Sequence, residues 1–211
     1  MTRLGIKQTF NLHKYSVCIK EILGEWRIIL AVTISLSGIL LGVLWIKGEG
    51  TLPEKISDIL FEKLIINESQ DILISFILNL LIPTSFFILI FFCGLSAYGN
   101  VISYIIPLLY SSVIGMLTFQ LYNEYKLKGL AAFVILLLPF ATLSMLGIIL
   151  ITVESVKMSQ SVMNVLGNRP KRNLYSFTIY YKNSLKSYLP IVMASVLKAA
   201  MDKLFVGLIN F

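Results

Sequence analysis

The 211-residue chain is 57% hydrophobic and 14% charged, against about 45–50% and about 25% in soluble domains. A mean hydropathy of +0.84 leaves too little polar surface for a water-soluble globule and excludes a large soluble module. The net charge of +7 sorts by segment along the chain, which points to membrane orientation and anionic lipid and away from nucleic acid as a partner.

Residues 1–26 form a basic arm. Leu12, Tyr15, Ile19, Ile22, Leu23 and Trp26 fall on one helical stripe, with Lys14, Lys20 and Glu21 off it. The pattern predicts an amphipathic helix in the membrane interface, in preference to a disordered basic tail. No short apolar core with a small-residue cleavage site precedes it, so a cleaved signal peptide is not expected.

Residues 27–211 read as one helical membrane domain. The first span, 28–46, carries no charge and lies between the chain's two tryptophans, Trp26 and Trp45. Their separation of 19 residues is about 28 Å of helix, close to the hydrocarbon thickness of a bilayer, and indoles favour its rims. Gly38 and Gly42 form a small-x-x-x-small pair, suited to packing against another helix of this chain or, less favoured, against a second copy. The acidic segment Lys47–Asp71 follows. Ile56, Ile59, Leu60 and Leu64 predict a short amphipathic helix after Pro53, and Asn67-Glu68-Ser69 matches a glycosylation sequon.

Spans two and three, 72–95 and 101–122, are separated by only Ser96–Asn100, which predicts an antiparallel hairpin with Gly94, Gly99 and Asn100 at the reversal. In span three, Ser111, Ser112 and Gly115 form a second close-packing face. Asn123–Lys128 is the next predicted loop. Span four, 130–153, should continue as a helix to a cap at Gly167, with Pro170 beyond. The last apolar stretch, 189–210, contains Lys198, Asp202 and Lys203. It reads as a fifth span in preference to a surface-bound helix, because Lys198 and Asp202 are spaced i, i+4 and can pair. Prolines Pro83, Pro107, Pro139 and Pro190 recur in these runs, as kinks of a static bundle or as gates.

The expected fold is therefore all-α: a polytopic membrane bundle of about five spans with an N-terminal amphipathic helix. Charge sets its orientation. The arm through Arg27 holds five basic and two acidic residues, Lys47–Asp71 three and six, and Glu154–Lys186 six and one. The positive-inside tendency puts the N-terminus and Glu154–Lys186 in the cytoplasm.

Little in the sequence carries chemistry. One histidine, His13, supports no His-pair metal site, and neither a Gly-rich phosphate loop nor a His-Glu-x-x-His helix is present. Cys18 and Cys93 read as small hydrophobes rather than a disulfide or ligand pair. No catalytic residue, cofactor or metal is expected. The deep ionisable residues are Glu154, Lys198 and Asp202. Glu154 reads as a rim carboxylate beside Lys157 or a contact to another helix or subunit; Lys198 with Asp202 reads as a helix-fixing pair or part of a pathway.

The layout, with Gly94-Leu-Ser-Ala-Tyr-Gly99 at the hairpin and Leu136-Leu-Leu-Pro139-Phe-Ala-Thr-Leu-Ser in span four, resembles the stage II sporulation protein M family of bacterial membrane proteins. The likeness covers Trp26–Phe211 in outline and is closest over about Ile72–Gln160. Typical members carry a glycine and an acidic residue soon after the span-four proline. Here those places hold Phe140, Ala141 and Met145, so no role of that acid is transferred. The resemblance implies a non-enzymatic scaffold of the bacterial cytoplasmic membrane, acting with peptidoglycan-degrading partners at the sporulation septum. Relatives also occur in gene clusters that make and export circular bacteriocins. The expected partners are the bilayer, other membrane or cell-wall proteins, and a second copy of the chain. The alternatives are a membrane component of an exporter whose ATPase is a separate chain and, last, an intramembrane enzyme.

Overall fold

An apolar chain in lipid has no water to satisfy its peptide groups, so each crossing segment must bond within itself as a helix. The computed structural model describes residues 26–49, 72–167 and 175–205, and all regular structure among them is helical. The helices are α1 (Trp26–Glu49), α2 (Ile72–Gly94), α3 (Gly99–Ala132), α4 (Leu138–Leu166) and α5 (Phe177–Phe205). Trp26–Gly48, Ile72–Gly94, Gly99–Asn123 and Tyr125–Leu166 are long and apolar enough to cross a membrane. The chain is a polytopic helical membrane protein. Residues 1–25 with Cys18, the segment 50–71 with its predicted helix and sequon, Pro170, and residues 206–211 lie outside the described residues.

The burial pattern reverses that of a soluble bundle. Outward faces carry Leu36, Leu40, Leu44, Leu73, Ile77, Leu81 and Phe92, whereas Ser35, Ser75, Ser103, Ser111, Ser144, Ser155 and Ser159 are buried. Lipid gives no hydrophobic drive between helices, so small residues that permit close van der Waals approach take the interior. Several of the hydroxyls bond back to their own helix, as Thr118 does to the Ile114 carbonyl (2.7 Å) and Ser195 to that of Ile191 (3.0 Å). The larger side chains of the core are Ile90, Ile106, Tyr110, Ile148, Ile151, Tyr180 and Ile191, drawn from α2 to α5.

α1 buries Ala31, Ser35, Gly38, Gly42 and Ile46 on one stripe and packs most extensively on α3. Its two tryptophans, Trp26 and Trp45, are 60% and 62% exposed, as residues at the two rims would be. The two close-packing faces meet each other: a Cβ at Gly42 would lie 2.1 Å from the Ser112 carbonyl oxygen, and one at Gly115 2.2 Å from that of Ile39. Any larger residue there would force the two backbones apart.

The α2–α3 hairpin turns through Gly94–Gly99, as the sequence predicts. The chain reverses within Asn123–Lys128, where the sequence places the connection between spans three and four, but through one tight turn and not an extended loop: helical residues flank Lys126, whose φ of 53° and ψ of −127° are those of a glycine-favouring turn position. The chain doubles back there, because a Cβ at Gly129 would lie 2.1 Å from the Leu121 carbonyl, whereas a straight helix would separate the two by about 12 Å. A π-helical turn, Phe133–Leu137, leads into α4. Pro139 stands at the first turn of α4, where its missing N–H disrupts least. α4 runs to Leu166, and the Gly167 N–H closes it on the Met163 carbonyl. The fifth helix starts at Phe177, twelve residues before the predicted 189. Its early turns are polar by composition, but Tyr180, Ser184 and Ser187 continue the buried stripe of Ile191, Ala194, Lys198 and Asp202. α5 packs along α4 and α2 as a member of the bundle.

Candidate functional site

Two polar clusters join α5 to its neighbours, one at each end of the bundle. At the Lys126 end, Lys198 and Asp202 form the i, i+4 ion pair that their spacing predicts. Lys198 is 1% exposed and Asp202 5%. The second carboxylate oxygen of Asp202 accepts from Ser75 Oγ at 3.2 Å and Asn79 Nδ2 at 3.3 Å, both on α2. Asn79 Nδ2 also lies 3.3 Å from Ser75 Oγ, and Asn79 Oδ1 is buried with no partner among the described residues. A buried ion pair is stable only when its remaining lone pairs and protons are also bonded, and α2 supplies that second set of bonds.

At the hairpin end, Glu154 of α4 pairs with Lys157 at 3.1 Å. Its other oxygen accepts from the Tyr175 hydroxyl and from Asn183 Nδ2 (3.1 Å), and Asn183 also donates to Tyr175 (2.9 Å). Tyr175 stands before α5. Burial pushes its phenol pKa up, and the hydrogen bond to Glu154 and that residue's negative charge push it further the same way. Beside this cluster α4 and α5 clamp the hairpin. Ser155 Oγ donates to the Ile90 carbonyl (2.9 Å) and lies 2.7 Å from Ser103 Oγ. Ser159 Oγ donates to the Ser96 carbonyl (2.7 Å), and the Tyr180 hydroxyl to that of Phe91 (2.8 Å), with its ring stacked on Phe91. The last four carbonyls of a helix lack partners within it, and the Tyr180 hydroxyl supplies one to Phe91 of α2. Gly94 leaves the room: a Cβ there would lie 2.5 Å from the Tyr180 hydroxyl oxygen. At Gly99 a Cβ would be 1.7 Å from the Cys93 carbonyl.

The residues read from sequence thus separate into three places. Lys198 and Asp202 lie in one cluster, Glu154, Gly94 and Gly99 in or beside the other, and Gly38, Gly42 and Gly115 along the α1–α3 contact. Pro139 belongs to none of them. Sequence reasoning missed Ser75, Asn79, Tyr175, Asn183 and Tyr180. Asn79 in an otherwise uncharged apolar run, four residues after Ser75, was the available signal for the first pair. Cys93, a free cysteine, is partly buried against the core. Among the described residues no cluster of three or more metal-ligating side chains occurs. Comparisons with protein-family models, with curated proteins and with solved structures gave no match.

Proposed function

We propose that this chain is a non-enzymatic scaffold of the bacterial cytoplasmic membrane, of the stage II sporulation protein M type, that holds partner proteins such as cell-wall remodelling factors. One observation carries the reading: the charged and polar side chains inside the bundle converge on one another across helices. Lys198, Asp202, Ser75 and Asn79 tie α5 to α2, and Glu154, Tyr175 and Asn183 tie α5 to α4. Interior bonds of this kind fix a single arrangement of helices, and a fixed outline is what a docking platform requires. By the loop charges, the N-terminus and the Glu154–Lys186 end face the cytoplasm, and the Lys198–Asp202 cluster lies toward the outer face. The test is crosslinking in native membranes followed by purification. A discrete partner, an extracellular wall hydrolase or another membrane subunit, is expected at a constant ratio; a solitary chain refutes the reading.

A second reading, a membrane component of an export system with a separate ATPase, is favoured by the buried charges of Lys198 and Asp202 and the unpartnered Asn79 Oδ1. The double variant Lys198→Met with Asp202→Leu separates the two. Loss of export with partner capture intact supports the second reading, and unchanged export removes it.

A further inference from the structure

At the Trp26 end of the bundle a groove of about 350 Å³ runs between α1 and α3, open along one side. Its walls include Leu30, Ile34 and Ile105, and Trp26, Tyr104 and Gln160 also line it. Arg27 is tied to the groove through Gln160, whose Oε1 accepts from Arg27 Nη2 at 2.9 Å. The Arg27 guanidinium also lies 5.9 Å from the Trp26 ring centre. Two further donors have no acceptor among the described residues: Arg27 Nε and the Tyr104 hydroxyl are both buried and unpartnered there. Arg27 is close enough for its charge to act on that hydroxyl. A buried donor without an acceptor is costly, and a cation without a counter-charge is costlier. None of the described residues lining the groove is acidic.

We propose that this groove binds one anionic phospholipid. Its phosphate oxygens accept from Arg27 and Tyr104, and an acyl chain lies along Leu30, Ile34 and Ile105. The chemistry is selective on two counts. A phosphodiester is acceptor-only and anionic, so it answers both the guanidinium and the hydroxyl. Only a headgroup without a cation of its own, unlike the zwitterionic choline headgroup, brings the net negative charge that Arg27 lacks and no second cation beside it. A water molecule could answer the hydroxyl but would leave the charge uncompensated. The apolar wall beside the donors calls for a ligand with a hydrocarbon part, and Trp26 fixes the depth at which headgroups lie.

The test uses the full chain, purified and placed in phosphatidylcholine nanodiscs containing phosphatidylglycerol, with bound lipid counted by native mass spectrometry and the thermal midpoint recorded. The wild-type chain is expected to retain phosphatidylglycerol over phosphatidylcholine by about tenfold or more. Arg27→Gln is expected to remove most of that preference, and Tyr104→Phe to reduce it by about three- to tenfold. Ile105→Trp, which fills the apolar wall and leaves both donors in place, is expected to weaken retention as well. Inorganic phosphate at millimolar concentration is expected to leave the midpoint unchanged; a shift equal to that from phosphatidylglycerol would replace the lipid with a soluble anion. Equal retention of the two lipids by the wild-type chain overturns the proposal without reference to any variant, and so does undiminished preference in a folded Arg27→Gln chain.

Discussion

Removing one member of the Lys198–Asp202 pair is expected to be far more damaging than removing both. Asp202→Leu leaves an ammonium group in a position 1% exposed, with its counter-charge gone. Breaking a buried pair in this way costs about 3–5 kcal/mol, or roughly two to three and a half powers of ten in the folding equilibrium. Lys198→Met leaves the carboxylate, but Ser75 and Asn79 still donate to it at 3.2 and 3.3 Å. A hydrogen bond to a charged group contributes about 1.5–3 kcal/mol, so this variant is expected at or below the lower end of that cost. The double variant replaces both charges with apolar groups and leaves Ser75 and Asn79 within 3.3 Å of each other. Its stability is expected to lie between that of the wild type and about 4 kcal/mol above it. The assay is unfolding in mixed micelles titrated with sodium dodecyl sulfate, followed by circular dichroism, for all four corners of the cycle. Strong favourable coupling supports the reasoning. Two single variants within about 0.5 kcal/mol of wild type, or a double variant whose loss equals the sum of the singles, refutes it.

Gly42→Leu and Gly115→Leu, at positions whose Cβ would lie 2.1 and 2.2 Å from facing carbonyl oxygens, are expected to cost about 1–3 kcal/mol or more, read as a lowered thermal midpoint. Gly48→Ala, with nothing among the described residues within 4 Å, is the control and should not lower it. Lys126→Gly relieves a residue held at φ 53° and is expected to gain about 1 kcal/mol, whereas Lys126→Val lowers the midpoint. Tyr175 titrates above its ordinary 10.0 in the folded chain. The folded state therefore holds its proton longer, and its contribution is complete below about pH 10 and declines as pH rises further. Tyr175→Phe should flatten that alkaline loss in a series of unfolding curves; an unchanged slope removes Tyr175 from the pH dependence.

What was legible in the chain was whatever depends on near neighbours. The Trp26–Trp45 spacing gave the first span, the Gly94–Gly99 cluster the hairpin, and the i, i+4 spacing of Lys198 and Asp202 their ion pair. The faces Gly38–Gly42 and Ser111–Gly115 were each readable as close-packing surfaces. That they pack on one another is a tertiary fact that neither face encodes alone. The same limit hid Ser75 and Asn79, which are 127 and 123 residues from the carboxylate they serve. The start of α5 was missed for a different reason. Apolar content alone marks what lipid touches, whereas the turns carrying Tyr180 and Ser184 bury hydroxyls against protein and look polar in sequence. The reversal was legible at Asn123–Lys128 as a polar break between two apolar runs, but not as a single tight turn, because Lys126 at the strained position is not glycine; the nearest, Gly129, permits the close return of the chain past Leu121.

The central claim is that hydrocarbon surrounds the outward faces of these helices, and the most direct measurement is the accessibility of spin labels placed on them. In a cysteine-free background, with Cys18 and Cys93 replaced, labels would be introduced at Leu40 of α1, Leu81 of α2 and Met193 of α5, which are 65%, 61% and 56% exposed. After reconstitution, collisions with dissolved oxygen are expected to dominate over those with a water-soluble nickel chelate at all three sites. Relaxation by the chelate at Leu40 and Leu81, at the level of a label in open water, would contradict the membrane bundle itself; the same result at Met193 alone would remove α5 from the membrane.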